Sequence, residues 1–207
     1  MSGSSTDSLG DLIRKAGNAS KGSDVRRTAL EQLIQTSSSP SISSVSLIPQ
    51  HLPSLVPDFP DLWPAGLDAA YDVSEHEDKN VRMQGYRLVV DLARIGVGAE
   101  EVGTMTDVLL QSMYTSHQDN SLEEINTLEQ CIRSLIHLNP GAAIGLITSL
   151  LSKETNVPTK LIWDLIEGPA NGDVEAWLGR AAGGEGEADE KRAVKENLFR
   201  HVFRPTR

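Results

Sequence analysis

The sequence predicts an all-α protein, a right-handed helical solenoid of antiparallel helix pairs, and three observations carry that prediction. Helix starts recur about every forty residues, at Ser41, Asn80 and Ser121, each followed by a partner helix set off by breakers. Between the breakers the apolar residues keep the helical period and not the alternation of a strand. Hydrophobic residues make up 39% of the 207 positions and aromatic ones only 4%, so the core must consist mainly of Leu, Ile, Val and Ala, which suits helix-on-helix packing.

The elements follow in order. Residues 1–8 are small and polar and read as a flexible N-terminus. A short helix from Ser8 ends at Gly17 and Asn18. Asp24 caps a second helix with Val25, Ala29, Leu30, Leu33 and Ile34 on one face, stopped by residues 36–39 and Pro40. Ile42, Val45, Ile48, Leu52, Leu55 and Val56 continue the period, but Pro49, Pro53 and Pro57 each remove a backbone donor, so this helix should be kinked or broken. The prolines fall four apart and share one side, the convex one, where freed carbonyls can reach water.

Residues 61–73 form the partner helix through Leu62, Ala65, Leu67, Ala70 and Tyr71, and an acidic loop at Glu75, His76, Glu77 and Asp78 follows. The clearest helix comes next, with Val81, Gly85, Leu88, Val89, Leu92 and Ile95 inward and Arg82, Arg87, Asp91 and Arg94 outward. Its partner, residues 99–114, packs through Val102, Met105, Val108, Leu109 and Met113. Ser121 with Glu124 reads as a capping box opening a helix of Ile125, Leu128, Ile132, Leu135 and Ile136, closed by Asn139, Pro140 and Gly141. Residues 142–152 complete that pair.

A further start at Asp189 leads through Ala193, Val194, Leu198, Val202 and Phe203, but this last interval is longer than the others by about 27 residues. The surplus lies in an insertion at 155–188, with two short amphipathic pieces docked by Trp163 and Trp177 and an acidic, Gly-rich linker. The expected organisation is thus a flexible 1–8, helical repeats over 9–154, the insertion at 155–188, and at 189–207 the first helix of a truncated repeat.

Nineteen Lys and Arg against 29 Asp and Glu give a formal charge of −10, which opposes attachment to nucleic-acid phosphates or anionic lipid. The single cysteine, Cys131, has no internal disulfide partner, and the polar N-terminus lacks the apolar stretch of a signal peptide, so an intracellular protein is expected. The apolar runs fall well short of the roughly 18 residues that cross a bilayer.

Reactive chemistry finds no foothold. His51, His76, His117, His137 and His201 are isolated from one another, no Cys-x-x-Cys occurs, and the 75–78 loop lacks the spacing and turn glycine of a calcium loop. Glycines 141 and 145 and those from 179 to 186 lack the Lys-Ser/Thr ending of a phosphate loop. Cys131 reads as a packed core thiol, and the pairs Glu100, Glu101 and Glu123, Glu124 sit at helix N-termini, where the dipole favours negative charge. No catalytic, cofactor-binding or metal-binding residue is predicted, and the chain reads as a binding scaffold and not an enzyme.

Phe59, Pro60, Asp61 and Leu62, the Ile-Pro helix of residues 47–57 before them, and the loop from Glu77 to Gln84 together resemble the apoptosis inhibitor 5 family. The resemblance runs over residues 24–153 and 189–203, about 70% of the chain. Asp78, Val81 and Arg82 also fit the Asp-x-x-Val-Arg pattern common to HEAT repeats. The family's Leu-x-x-Leu-Leu segment maps onto residues 106–110, where Thr106 replaces the first leucine, and the 155–188 insertion lengthens a short family loop.

The resemblance implies a HEAT/ARM-like solenoid forming one half of a longer, mainly nuclear protein that restrains apoptosis and contacts nuclear RNA-processing proteins. Partners would be proteins or basic peptides, recognised on inner helices around residues 61–73, 99–114 and 142–152, with Asp107 and Gln111 as candidate partner-binding residues. The alternative keeps the solenoid as a subunit of a transport or chromosome-organising complex, since fold does not fix function.

Overall fold

The computed structural model describes residues 4–39, 41–96 and 98–152. Among them every regular element is helical and no strand occurs. The insertion expected at 155–188 and the helix expected from Asp189 lie outside the described residues. Two compact units divide the chain, Met1–Ile95 and Gly96–Arg207.

In the first unit, α1 (Ser4–Gly17) packs on α2 (Asp24–Gln35), and α2 packs in turn on α4 (Leu47–Leu55) and α5 (Trp63–Ser74). A single turn, α3 (Ile42–Val45), precedes α4, and two 3-10 turns, Val56–Asp58 and Pro60–Leu62, separate α4 from α5. The helix α6 (Lys79–Gly96) completes the unit. Leu30, Leu33, Ile48, Leu52 and Leu88 form its fully buried centre. The first helix begins at Ser4, four residues before the expected start.

The proline-rich stretch is broken as its composition demands. Pro53 lies inside α4, which continues past it by two residues before the chain tightens to a 3-10 turn containing Pro57. Pro49 and Pro53 are half-buried and Pro57 is exposed, while Ile48, Leu52, Leu55 and Val56 are buried. At the C-terminal end of α4 the Ser54 carbonyl is satisfied by Arg26 at 2.7 Å, so here a guanidinium stands where water was expected.

Three inward faces differ from the expected ones. In α2 the buried residues are Arg26, Ala29, Leu30 and Leu33, and Val25 is 40% exposed. Arg26 displaces Val25 because each of its three guanidinium nitrogens finds a partner: Nε donates to Asp58 at 2.6 Å, Nη1 to the Ala16 carbonyl at 3.2 Å and Nη2 to the Ser54 carbonyl. In α5 the buried residues are Gly66, Ala69, Ala70, Val73 and Ser74, whereas Leu62, Ala65, Leu67 and Tyr71 are half-buried. Close backbone approach selects the small face of that helix over the bulky one.

The third difference is in α6, which buries Met83, Tyr86, Val90 and Ala93 beside the expected Val81, Gly85, Leu88, Val89 and Leu92, and leaves Ile95 partly exposed. It is therefore covered on more than one side. Asp78 caps it: its Oδ1 accepts from the N–H groups of Asn80 at 2.8 Å and Val81 at 3.1 Å.

The second unit contains α7 (Ala99–Gln118), α8 (Leu122–Leu138) and α9 (Pro140–Ser152), with α7 packed on both of the others and α8 on α9. Every inward residue expected for α8 is buried, together with Glu124, Thr127 and Cys131. Asn139 closes α8 through its N–H to Leu135 and opens α9 through Oδ1, which accepts from Ala142 N–H at 3.2 Å. Pro140 then occupies the first position of α9, where no donor is missed, so the expected breaker is a junction and α9 starts two residues early.

The serine half of the capping box at Ser121 does not form. Ser121 occupies the cap position, but with ψ near 78° its hydroxyl makes no cap hydrogen bond and Oγ is buried without a partner. A left-handed Asn120 (φ 53°) turns the chain so that Ser121 N–H bonds to the Ser116 carbonyl, and the hydroxyl is carried away from the helix N–H groups.

Candidate functional site

The charge of this protein is unevenly placed along the chain. Residues 98–152 carry seven carboxylates and a single Lys or Arg, Arg133, whereas residues 1–96 carry 12 carboxylates against nine. No Lys or Arg occurs in α7, and Glu100 and Glu101 stand in its first turn, where the helix dipole stabilises them.

One side of α7 is bound into the unit. Val102, Met105, Leu109, Leu110 and Met113 are buried on it, with Thr106, whose hydroxyl donates to the Val102 carbonyl at 2.8 Å. Leu110 is buried beyond the expected stripe, and Val108, expected inward, is half-buried. The other side presents Glu100, Glu101, Thr104, Asp107, Gln111 and Thr115, all exposed except the half-buried Asp107.

Asp107 and Gln111, the residues singled out by sequence, lie one turn apart on this face and are bonded, Gln111 Nε2 donating to Asp107 Oδ2 at 3.0 Å. Thr104 and Thr115 donate their hydroxyls to the Glu100 and Gln111 carbonyls, both at 3.2 Å. With those protons used within the helix, the face offers solvent mainly acceptors under a negative potential. Its chemistry suits a partner rich in donors and positive charge.

The residues considered for catalysis or metal binding stay apart. His51 sits half-buried in α4, where desolvation pushes its pKa down. His76 Nδ1 accepts from Asp78 N–H at 3.0 Å, and Arg82 Nη1 donates to the carbonyls of His76 and Glu77 at 3.0 and 2.8 Å, so the acidic loop is organised as the entry to α6. His117 and His137 are exposed in the last turns of α7 and α8, and His201 lies outside the described residues. Cys131 is buried in α8. Among the described residues no three His, Cys, Asp or Glu side chains converge as metal ligands, and no helix is long and apolar enough to cross a membrane.

A second polar cluster lies on the first unit. Arg27 bridges Asp61 and Glu31 and holds its guanidinium 5.5 Å from the centre of the Phe59 ring. The hydrogen bond from Arg27 and its charge hold the Asp61 carboxyl below the ordinary Asp range, and Asp61 raises the Arg27 pKa. A depressed carboxylate adds stability above its unfolded pKa and gives it up as pH falls through the folded pKa. In a carbon-detected NMR titration Asp61 should therefore titrate below a free Asp, and Arg27→Met should return it to the ordinary value. An unchanged midpoint in that variant would remove Arg27 as the cause.

Among the described residues two buried charged groups, Arg26 and Glu124, escaped sequence reasoning. Arg26 was passed over because a charged residue at a helix start reads as exposed, and its partners come from α1, α4 and the turn at Asp58, distant in sequence. Glu124, 2% exposed, was read as half of a capping box. Its spacing from Leu128 and Ile132, one and two turns on, was the available signal. No protein-family model and no curated protein matches this chain.

Proposed function

We propose that this chain is a non-enzymatic protein-interaction scaffold of the apoptosis inhibitor 5 type, built as a HEAT/ARM-like solenoid and acting in the nucleus on RNA-processing proteins or basic peptides. The observation that carries the binding reading is the exposed face of α7, which presents Glu100, Glu101, Asp107 and Gln111, with no Lys or Arg on that helix. Such a surface repels nucleic-acid phosphate and selects cationic segments by complementarity. The repeat reading draws support from helices beginning at Ile42, Lys79 and Leu122, each within one residue of the starts expected at Ser41, Asn80 and Ser121. The family type and the nuclear role draw on the resemblance of residues 24–153 alone.

The test is crosslinking and co-purification of the intact protein from its own cells, beside a variant carrying Asp107→Lys and Gln111→Lys. Gln111 is exposed and Asp107 half-buried, outside the buried core of α7, so the variant should retain its far-UV spectrum and melting midpoint. Recovery of basic nuclear proteins should fall at least tenfold, as expected when about 1.4 kcal/mol or more of favourable charge pairing becomes repulsion. Equal recovery by both proteins would dismiss the α7 face, and transport or chromosome-complex subunits in the wild-type eluate would favour the alternative solenoid reading.

A further inference from the structure

Asp72, on the exposed side of α5, is held by two serine hydroxyls from the turn that follows α2. Ser37 Oγ donates to Asp72 Oδ2 at 2.6 Å and Ser38 Oγ to the same oxygen at 3.3 Å. Among the described residues hydroxyls, and no ion pair, hold this carboxylate. The clasp joins the end of α2 to α5 across 35 positions of sequence.

The two serines differ in access. Ser37 is buried and Ser38 exposed. Between the end of α2 at Gln35 and the start of α3 at Ile42, the described residues Thr36, Ser37, Ser38, Ser39 and Ser41 carry short hydroxyl side chains and lie outside any helix. An exposed hydroxyl on a non-helical, polar turn is the kind of acceptor a protein kinase can draw into its active site.

We infer that Ser38 is a phosphorylation site whose phosphate opens the clasp between α2 and α5. The kinase moves the γ-phosphoryl group of ATP to Ser38 Oγ: an O–P bond forms, the bond from that phosphorus to the oxygen bridging to ADP breaks, and the hydroxyl proton passes to the kinase's base. A hydrogen-bond donor is thereby replaced by about −1.5 to −2 charges and a set of acceptor oxygens.

That charge faces carboxylates. Asp72 is the immediate neighbour, Asp68 stands one turn back on α5, and Glu75 follows the helix; all three are exposed. A phosphate placed beside Asp and Glu disrupts by like-charge repulsion, the opposite of one placed on an Arg cluster. The site therefore loosens α2 from α5 when modified. This inference concerns the first unit and stands apart from the scaffold reading, which rests on α7.

The experiment installs phosphoserine at position 38 of the full chain by codon reassignment and measures thermal midpoints beside unmodified protein, Ser38→Ala, and the same modification in an Asp72→Asn background. Phosphoserine should lower the midpoint by roughly 2–4 °C for a chain of this size, Ser38→Ala by less, and the drop should shrink by half or more in Asp72→Asn. Peptide mapping of the unmodified chain after incubation with ATP and an extract of its own cells should find phosphate on Ser38. An unchanged midpoint, an equal drop in the Asp72→Asn background, or mapping that finds Ser38 unmodified would each overturn the inference.

Discussion

Gly85→Ala should unfold the first unit, and Gly103→Ala, the same change in a second long helix, should stabilise its own. A Cβ at Gly85 would lie 2.4 Å from the Ser74 nitrogen, 2.6 Å from Ser74 Cα and 2.7 Å from the Val73 carbonyl carbon. These are backbone atoms, so no rotamer change relieves the overlap; α5 and α6 must separate. Overpacking of this kind costs about 3 kcal/mol or more, well above the gain of up to about 1 kcal/mol in helix propensity from Gly to Ala.

At Gly103, in α7, a Cβ meets nothing within 4 Å, so only the propensity gain remains. Urea unfolding followed by circular dichroism measures both variants. A Gly85→Ala protein with the wild-type midpoint would mean that α5 and α6 do not approach as closely as Ser74 and Gly85 indicate.

The second large effect is expected at Arg26. Its guanidinium is spread over three partners, the Asp58 carboxylate and the Ala16 and Ser54 carbonyls, and the Arg26 and Asp58 side chains are only 11% and 9% exposed. Arg26→Ala leaves a buried carboxylate and two carbonyls without a donor, which should cost about 3–5 kcal/mol. Arg26→Lys should recover little, because an ammonium lacks the planar fork that reaches three directions at once.

Pairing Arg26→Met with Asp58→Leu removes the uncompensated charge and should recover part of the loss, while Ala16 and Ser54 still lack their donor. Denaturant midpoints of the three variants test the ranking. If Arg26→Ala cost under about 1 kcal/mol, the buried network would be a minor feature of the fold.

These two residues show what a sequence pattern does and does not carry. The stripe of Val81, Leu88, Val89 and Leu92 named α6 and put Gly85 on its inner face, because helical period is a local property. The pattern also found the breaks after Gly96 and at Asn139 and the proline interruption of α4. Each follows from backbone chemistry within a few residues.

The choice among competing inner faces was not local. Val25 and Arg26 are adjacent, and only the convergence of Asp58, Ala16 and Ser54 makes the charged residue the buried one. The small face of α5 outranks Leu62 and Leu67 because α6 brings a glycine against Ser74. Ser121 has the composition of a cap, yet the left-handed turn at Asn120 withholds it.

What the sequence by itself determined is therefore the helical class, the element boundaries to within a few residues, and the acidic character of the 98–152 segment, since period, breakers and charge are written in neighbouring residues. Tertiary structure alone decided which polar groups are buried, where two backbones touch, and which hydroxyls reach a carboxylate, because each depends on groups brought together from ten to 35 positions apart.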